Sequence, residues 1–281
     1  MHKARRRTVR ILKYLILIFA SFLSVFPFLW MILGMTNTSD SILRNKFTFG
    51  SAFADNIRAL FAANVGFLAG LKNSIVVSAV NTVLSLLICS IAGYGFEMYR
   101  SKARDRVFNV LLLTMMVPFS AIMIPLYRMF AKFAGIPGLK PIALNSLGAM
   151  ILPTVSTAFL IFFFRQNTKS FSREIIEAAR IDGVKEWGIF FRMYLPIMKS
   201  TFAAGAIITF MNTWNNYLWP LLVAQSPDKR TVPIVLSALG ASYTTNYGAL
   251  MVGIVIATLP SALIYFLMQK EFVSGMTGSV K

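Results

Sequence analysis

The chain has 281 residues, of which 57% are hydrophobic and 14% charged, with a mean hydropathy of +0.67. That composition excludes an ordinary soluble domain and describes a polytopic membrane protein. The net charge of +18 is scattered between apolar runs and forms no separate basic domain, so nucleic acid is not an expected partner. Cys89 is the single cysteine and lies within an apolar run, so no intrachain disulfide can form.

Lys3, Arg5, Arg6, Arg7 and Arg10 precede the first apolar run, 11–34. It is too long for a signal-peptide core and lacks a small-residue cleavage pattern, so it reads as an uncleaved span. Five more apolar runs follow at 71–96, 107–127, 142–164, 201–223 and 250–268, uncharged but for Lys72 at the edge of the first. Each supplies enough helical rise to cross a hydrocarbon core of about 30 Å. Six spans return both termini to one side. Nineteen of the 28 Lys and Arg residues fall on that side, which the positive-inside rule makes the cytoplasm, together with the loop 165–199. Outside lie 35–70, a turn at Gly135-Ile136-Pro137-Gly138, and 224–249. The first carries a helical pattern over 53–61 with Asp55 and Asn56 as start signals. The expected fold is all-α: six transmembrane helices in a single domain over 1–281. Pro27, Pro118, Pro125, Pro153, Pro220 and Pro260 punctuate the spans, which suits close helix packing and equally suits spans that flex.

In the second span Ser74, Ser78, Asn81, Ser85 and Cys89 share one helix face, a spacing that lets helices approach closely. Between the fourth and fifth spans lies a long polar, amphipathic stretch, 172–199. Ser172 can cap a helix start, Glu174 suits its N-terminal dipole, and the helix ends near Ile181. Asp182-Gly183 is a stop signal, and a second helical pattern is closed by Pro196. On one continuous wheel Ile176, Ala179, Gly183, Trp187, Phe190 and Tyr194 share a sector, with Glu174, Lys185 and Arg192 opposite. Ala178, Ala179 and Gly183 admit close approach by another surface, and Glu177 and Asp182 supply charge that fixes register. An interfacial helix lying on a leaflet is the competing reading.

The fifth span places Gly205, Thr209, Asn212, Asn216 and Trp219 on one face, with Trp214 and Asn215 beside it. The sixth adds Thr258, Ser261 and Tyr265. Amides and aromatic rings suit a sugar, whose hydroxyls need donors and acceptors and whose CH faces pack on rings. Asn81, Thr209, Asn212, Asn215, Asn216, Thr258, Ser261 and Tyr265 are therefore candidate substrate-pathway residues. Helix packing and the interfacial aromatic belt account for the same residues, Trp219 especially.

Glu177-Ala178-Ala179, three residues, Gly183, nine residues, Met193, one residue and Leu195-Pro196 together resemble the EAA loop of ATP-binding-cassette (ABC) importer permeases. Met193 stands where that pattern has isoleucine or a similar apolar residue. The run from Trp214 to Leu222, then Ser226-Pro227, resembles the carbohydrate permeases of the maltose-type group. So do Asn73-Ser74, Ala92-Gly93-Tyr94-Gly95-Phe96 and the ending Gly278-Ser279-Val280-Lys281, where Ser279 replaces a usual alanine. The resemblance implies a multi-pass permease of a bacterial inner membrane. It makes Glu177, Ala178, Ala179, Asp182, Gly183, Leu195 and Pro196 the element that couples to a separate ATPase. Two ATPase subunits, holding ATP and Mg, a second six-span permease, usually a different chain, and an external solute-binding protein for the sugar complete such a system.

No G-x-x-x-x-G-K-[ST] occurs, so the chain itself is expected to bind no nucleotide cofactor in that manner. No Asp or Glu lies within a span and His2 is the only histidine, which disfavours a proton-coupled carrier. A secondary or facilitative carrier without an ATPase is the alternative, and a non-transporting scaffold a third reading. No nucleophile–base set or Cys/His cluster suggests an enzyme or a metal site.

Overall fold

The computed structural model describes residues 2–62 and 66–276, with side chains described over 9–62 and 66–271. The ending at 278–281 lies outside these residues. In chain order the helices are α1 (His2–Gly34), α2 (Ser39–Leu43), α3 (Phe53–Ala62), α4 (Phe67–Met98), α5 (Lys102–Thr114), α6 (Phe119–Phe133), α7 (Leu147–Ile151) and α8 (Ala158–Thr168). They continue as α9 (Arg173–Ile181), α10 (Glu186–Ile189), α11 (Leu195–Ile197), α12 (Lys199–Trp214), α13 (Leu218–Val223), α14 (Val232–Gly240) and α15 (Tyr247–Met276). Among the described residues there is no strand.

Three helices are long and apolar enough to cross a membrane: Val9–Gly34, Phe67–Met98 and Tyr247–Glu271. Three bent pairs meet the same test jointly, giving up to six spans. Lys102–Thr114 and Phe119–Phe133 meet at 98°, Leu147–Thr154 and Ala158–Thr168 at 45°, and Glu186–Ile197 and Lys199–Trp214 at 81°. The expected uninterrupted span 107–127 is therefore two helices. Pro118 explains the break, because its ring drives the preceding residue out of helical angles. The span expected at 201–223 likewise ends at Trp214 and resumes at Leu218 after a turn.

The chain divides into two compact units. The first comprises Met1–Phe67 and Leu236–Leu259. Here Asn56, expected as a helix-start signal, is 5% exposed and donates to the carbonyls of Met35 and Asn37, each at 2.9 Å. It thereby closes the turn that follows α1. A Cβ on Gly248 would come within 2.3 Å of the Asn56 amide, so the start of α15 can pass only as glycine.

The second unit comprises Leu68–Val235 and Pro260–Lys281, with α4 as its spine. Buried positions recur along α4 at helical spacing from Asn73 through Val77, Asn81, Ser85 and Cys89 to Glu97. Three apolar clusters line this face. One holds Val77, Phe130, Met150 and Trp219, the next Cys89, Phe108, Leu160 and Phe164, and the last Tyr94, Ile176, Phe190 and Tyr194. Trp219 is 1% exposed and donates its indole N–H to Ala149 O at 2.9 Å, so it belongs to the core and not to an interfacial belt.

The polar stripe of α4 has a backbone cause. Asn73 donates to Asp228 O at 2.8 Å and to Arg230 O at 2.9 Å, and the Ser74 hydroxyl accepts from Val232 N at 2.8 Å, where α14 begins. Further along, Ser85 donates to Thr154 O at 3.4 Å and Cys89 Sγ lies 3.7 Å from Val155 O. These carbonyls belong to the broken stretch before α8. Freed from the helical ladder, they take partners on the neighbouring helix.

Candidate functional site

The loop 165–199 is built on glycine and proline. Ser172 occupies the cap position of α9, but its hydroxyl makes no capping bond, contrary to expectation. At the other end Val184 N bonds Ala179 O at 2.9 Å and Gly183 N bonds Arg180 O at 3.0 Å. This crossed pair is a Schellman closure, and it needs the left-handed angle that Gly183 adopts at φ +76°. Past α10, residues Phe190–Tyr194 form a π-helical turn in which Leu195 N reaches Phe190 O. Pro196 follows, unable to donate and crowding the carbonyl four residues back, a recognised cause of such local rewinding.

Because Gly183 resets the helical phase, the single wheel over both helices does not hold. Ile176, Ala179, Phe190 and Tyr194 are buried together, whereas Trp187 is 63% exposed. Ala179 packs against its own chain at 1% exposure, so this alanine offers no surface to a partner. Glu177, Ala178, Asp182 and Gly183 are exposed, Leu195 is half-buried and Pro196 exposed. Ile181, 87% exposed, Trp187 and Phe191 add apolar surface to this group. Sequence reasoning missed that role for them, although their apolar character in a charged loop was a usable signal.

Under this surface Phe190 stacks on Tyr194 at 5.3 Å, and the Tyr194 hydroxyl lies 2.6 Å from Thr168 Oγ1. The joint between α9 and α10 is tied by Arg180 Nε to Glu186 Oε1 at 2.8 Å, with the Tyr99 ring 5.6 Å from the Arg180 guanidinium. The Arg180 hydrogen bond, partly opposed by burial, holds the Glu186 carboxyl below its ordinary value.

A second constellation lies midway along α4. A cavity of about 130 Å³ is lined by Asn81, Ser85, Thr154, Thr157, Thr209, Asn212, Thr213 and Asn216, with Phe159, Leu160 and Ile208 as its apolar part. Asn81, 1% exposed, donates to Thr213 Oγ1 at 2.7 Å and lies 3.0 Å from the Thr154 hydroxyl. Thr213 in turn donates to Thr209 O at 2.9 Å. Asn81 is thus a strut between helices, while Asn212 is exposed and Asn216 half-buried. Of the other candidates, Asn215 is an exposed C-cap, Thr258 bonds Ile254 O one turn back at 2.8 Å, Ser261 is half-buried and Tyr265 is 45% exposed. None of these four lines the cavity. Thr154, Thr157 and Thr213 were not anticipated. Pro153 beside Thr154, and Thr213 four residues after Thr209, were the available signals. Among the described residues no cluster of His, Cys, Asp or Glu could hold a metal ion. The cavity offers amide and hydroxyl groups next to an aromatic ring, which can hold a neutral polyhydroxylated solute but perform no bond chemistry.

Residues 85–278 match the family described as the binding-protein-dependent transport system inner membrane component. The lactose transport system permease protein LacG of Rhizobium radiobacter is 50% identical over 281 residues, 100% of each chain. The arabinooligosaccharides transport system permease protein AraQ of Bacillus subtilis is 37% identical, covering 100% of this chain and 99% of that protein. A solved bacterial ABC transporter involved in the import of the acidic polysaccharide alginate superposes with a TM-score of 0.82 at 19% identity, over 95% of this chain and 97% of that one. This chain therefore belongs to the inner-membrane components of binding-protein-dependent transport systems, as a multi-pass permease subunit of an ABC importer whose ATP hydrolysis resides on a separate ATPase.

Proposed function

We propose that this permease imports a carbohydrate across a bacterial cell membrane, with both termini and the loop 165–199 on the cytoplasmic side. Two ATPase subunits hold ATP and Mg²⁺, and the loop seats in a groove of one of them through Glu177, Ala178, Asp182, Gly183 and the neighbouring Ile181. Leu195 and Pro196 fix the exit of that loop. An external solute-binding protein delivers the sugar, and a second six-span permease, of a different chain, faces this one, which acts as one permease domain.

The observation that carries the docking reading is the exposed, stacked pair Trp187 and Phe191, with Ile181 also exposed in the same charged loop, above a buried aromatic base. Such a patch is the composition of a protein interface. A lipid leaflet fits less well. Its anionic surface attracts Lys and Arg by about 1 kcal/mol each, and Glu177 and Asp182 gain nothing from it. The cavity supports a facing permease, since about 130 Å³ falls short of the roughly 300 Å³ of a ligand pocket. Its neutral lining, together with relatives named for lactose and arabinooligosaccharides, supports a sugar as the solute.

The test is a reconstituted complex in liposomes. Glu177→Ala is expected to uncouple ATP hydrolysis from uptake, at about 2–5 kcal/mol if the partner cation is desolvated, while Lys185→Ala matters much less. Equal, small losses would return the loop to the lipid surface. Uptake of lactose and arabinooligosaccharides should exceed that of glycerol 3-phosphate, and the reverse preference would overturn the carbohydrate assignment.

A further inference from the structure

At the end of α4 nearest the coupling loop lies an ionic cluster with a buried centre, Glu97 and Arg165, and half-exposed outer partners, Arg100 and Asp105. Glu97, 4% exposed, pairs with Arg165 Nε at 3.5 Å and Arg100 Nη2 at 2.5 Å. Arg165, itself 8% exposed, also pairs with Asp105 at 2.5 Å, and its guanidinium lies 4.1 Å from the centre of the Phe108 ring. Two acids and two arginines balance. Burying such a group gains little stability over apolar packing, so its value lies in specifying one arrangement of the helices that meet there.

Two further contacts make that joint stiff. One turn before Glu97, a Cβ on Gly93 would lie 2.6 Å from Phe164 Cβ and 2.8 Å from Arg165 N, so α4 and α8 touch through their backbones. The Tyr94 ring packs edge-on against Phe190 at 5.5 Å and Tyr194 at 4.9 Å, inside the aromatic base of the loop. Tyr99 then reaches the loop itself. Its ring lies 5.6 Å from the Arg180 guanidinium, and its hydroxyl interacts electrostatically with the Arg180–Glu186 pair. The helix that carries Glu97 also carries Asn81, sixteen residues before it and so about 24 Å away, in the cavity wall.

We propose that the last turns of α4 are the lever of this permease, with Glu97 and Tyr99 as positioning residues that turn displacement of the coupling loop into displacement of the cavity wall. The proposal rests on the docking of that loop to an ATPase. Contiguity alone does not establish coupling, so the test must read both ends of the lever. Glu97→Gln and Tyr99→Phe each keep the side-chain volume. In the reconstituted complex both variants should retain the ATPase and its basal hydrolysis, while stimulation by sugar-loaded binding protein falls about tenfold, within the usual range of coupling factors.

A second readout separates positioning from mere structure. In a Cys89→Ser background, Asn212→Cys should change its reactivity toward a small polar thiol reagent when nucleotide is trapped. Adding Glu97→Gln should abolish that change. Should Glu97→Gln fail to fold, Tyr99→Phe at the helix end carries the same test. Variants that keep the ATPase, full stimulation and the nucleotide-dependent reactivity overturn the lever alone. A native complex in which Glu177→Ala and Lys185→Ala are equally mild overturns the docking reading, and the lever with it.

Discussion

The coupling loop and the cavity beside Asn81 are both rich in polar groups, and they use them in opposite ways. In the cavity, Asn81, Thr154 and Thr213 satisfy one another across three helical segments, leaving chiefly Asn212 and Asn216 turned to open space. In the loop, Glu177 and Asp182 are exposed and enter no ion pair among the described residues, next to exposed Ile181 and Trp187. A polar group already bonded within its own chain is scaffold, because a ligand would have to break that bond before making its own. An unpaired charge beside exposed apolar surface is available to a partner.

The sharpest way to break this comparison is Asn81→Leu. Thr154 retains an acceptor in Ile151 O at 2.9 Å, but Thr213 loses its donor and a buried polar site becomes apolar. The expected cost is about 1–3 kcal/mol in thermal unfolding of the detergent-solubilised protein. A negligible cost would place Asn81 among the pathway-facing residues.

Gly183→Val comes next. Nothing lies within 4 Å of a Cβ there, so space is not the obstacle; the obstacle is φ +76°, which costs an L-residue about 1–2 kcal/mol. Co-purification with the ATPase should fall several-fold with membrane insertion intact. Gly183→Asn should be nearly silent, since asparagine tolerates the left-handed cap. Equal losses for both would mean that a partner touches the Cα, and the closure would then serve close approach as well as turn geometry.

Much of this architecture was legible before any coordinates. Runs of apolar residues gave the helices, Gly183 gave the end of α9, and the spacing from Glu177 to Pro196 gave the loop its family. The failures share one cause. Spacing reports which residues share a face, not what that face meets. The shared face of Ser85 and Cys89 was legible as a close helix contact, but the freed carbonyls of Thr154 and Val155 that it meets have no signature of their own in sequence. Ala179 and Trp187 fell on one wheel only while the helix was assumed to continue through Gly183. Pro118 could have meant a kink or a corner, and the 98° bend settled it as a corner.

Asn212→Leu sharpens the cavity side of the comparison. Asn212 is exposed, so its replacement should change stability by no more than about 0.5 kcal/mol. Uptake in liposomes should nonetheless drop, with loop docking and ATPase association unchanged. A stability loss as large as that of Asn81→Leu would make both residues scaffold and leave Asn216, in the turn after α12, as the remaining free amide of the cavity.

The smallest effect expected is on the loop side and depends on pH. The hydrogen bond from Arg180, supported by Tyr99, lowers the Glu186 carboxyl pKa, so the folded loop prefers the charged form. A depressed carboxyl contributes its full stabilisation above the unfolded value of about 4.3 and loses it as pH falls through the folded value. Nothing should therefore change at this joint between pH 7 and pH 5. Loosening should begin only below about pH 4. The partners are 43% and 44% exposed, so solvent screening limits the contribution to a few tenths of a kcal/mol. Amide exchange at Gly183 and Val184, corrected for its intrinsic pH dependence, should show a small acid step that high salt diminishes. Glu186→Gln should remove the step. If the step persists in that variant, another group titrates at the α9–α10 joint, and the Arg180–Glu186 pair is not what holds the loop in register.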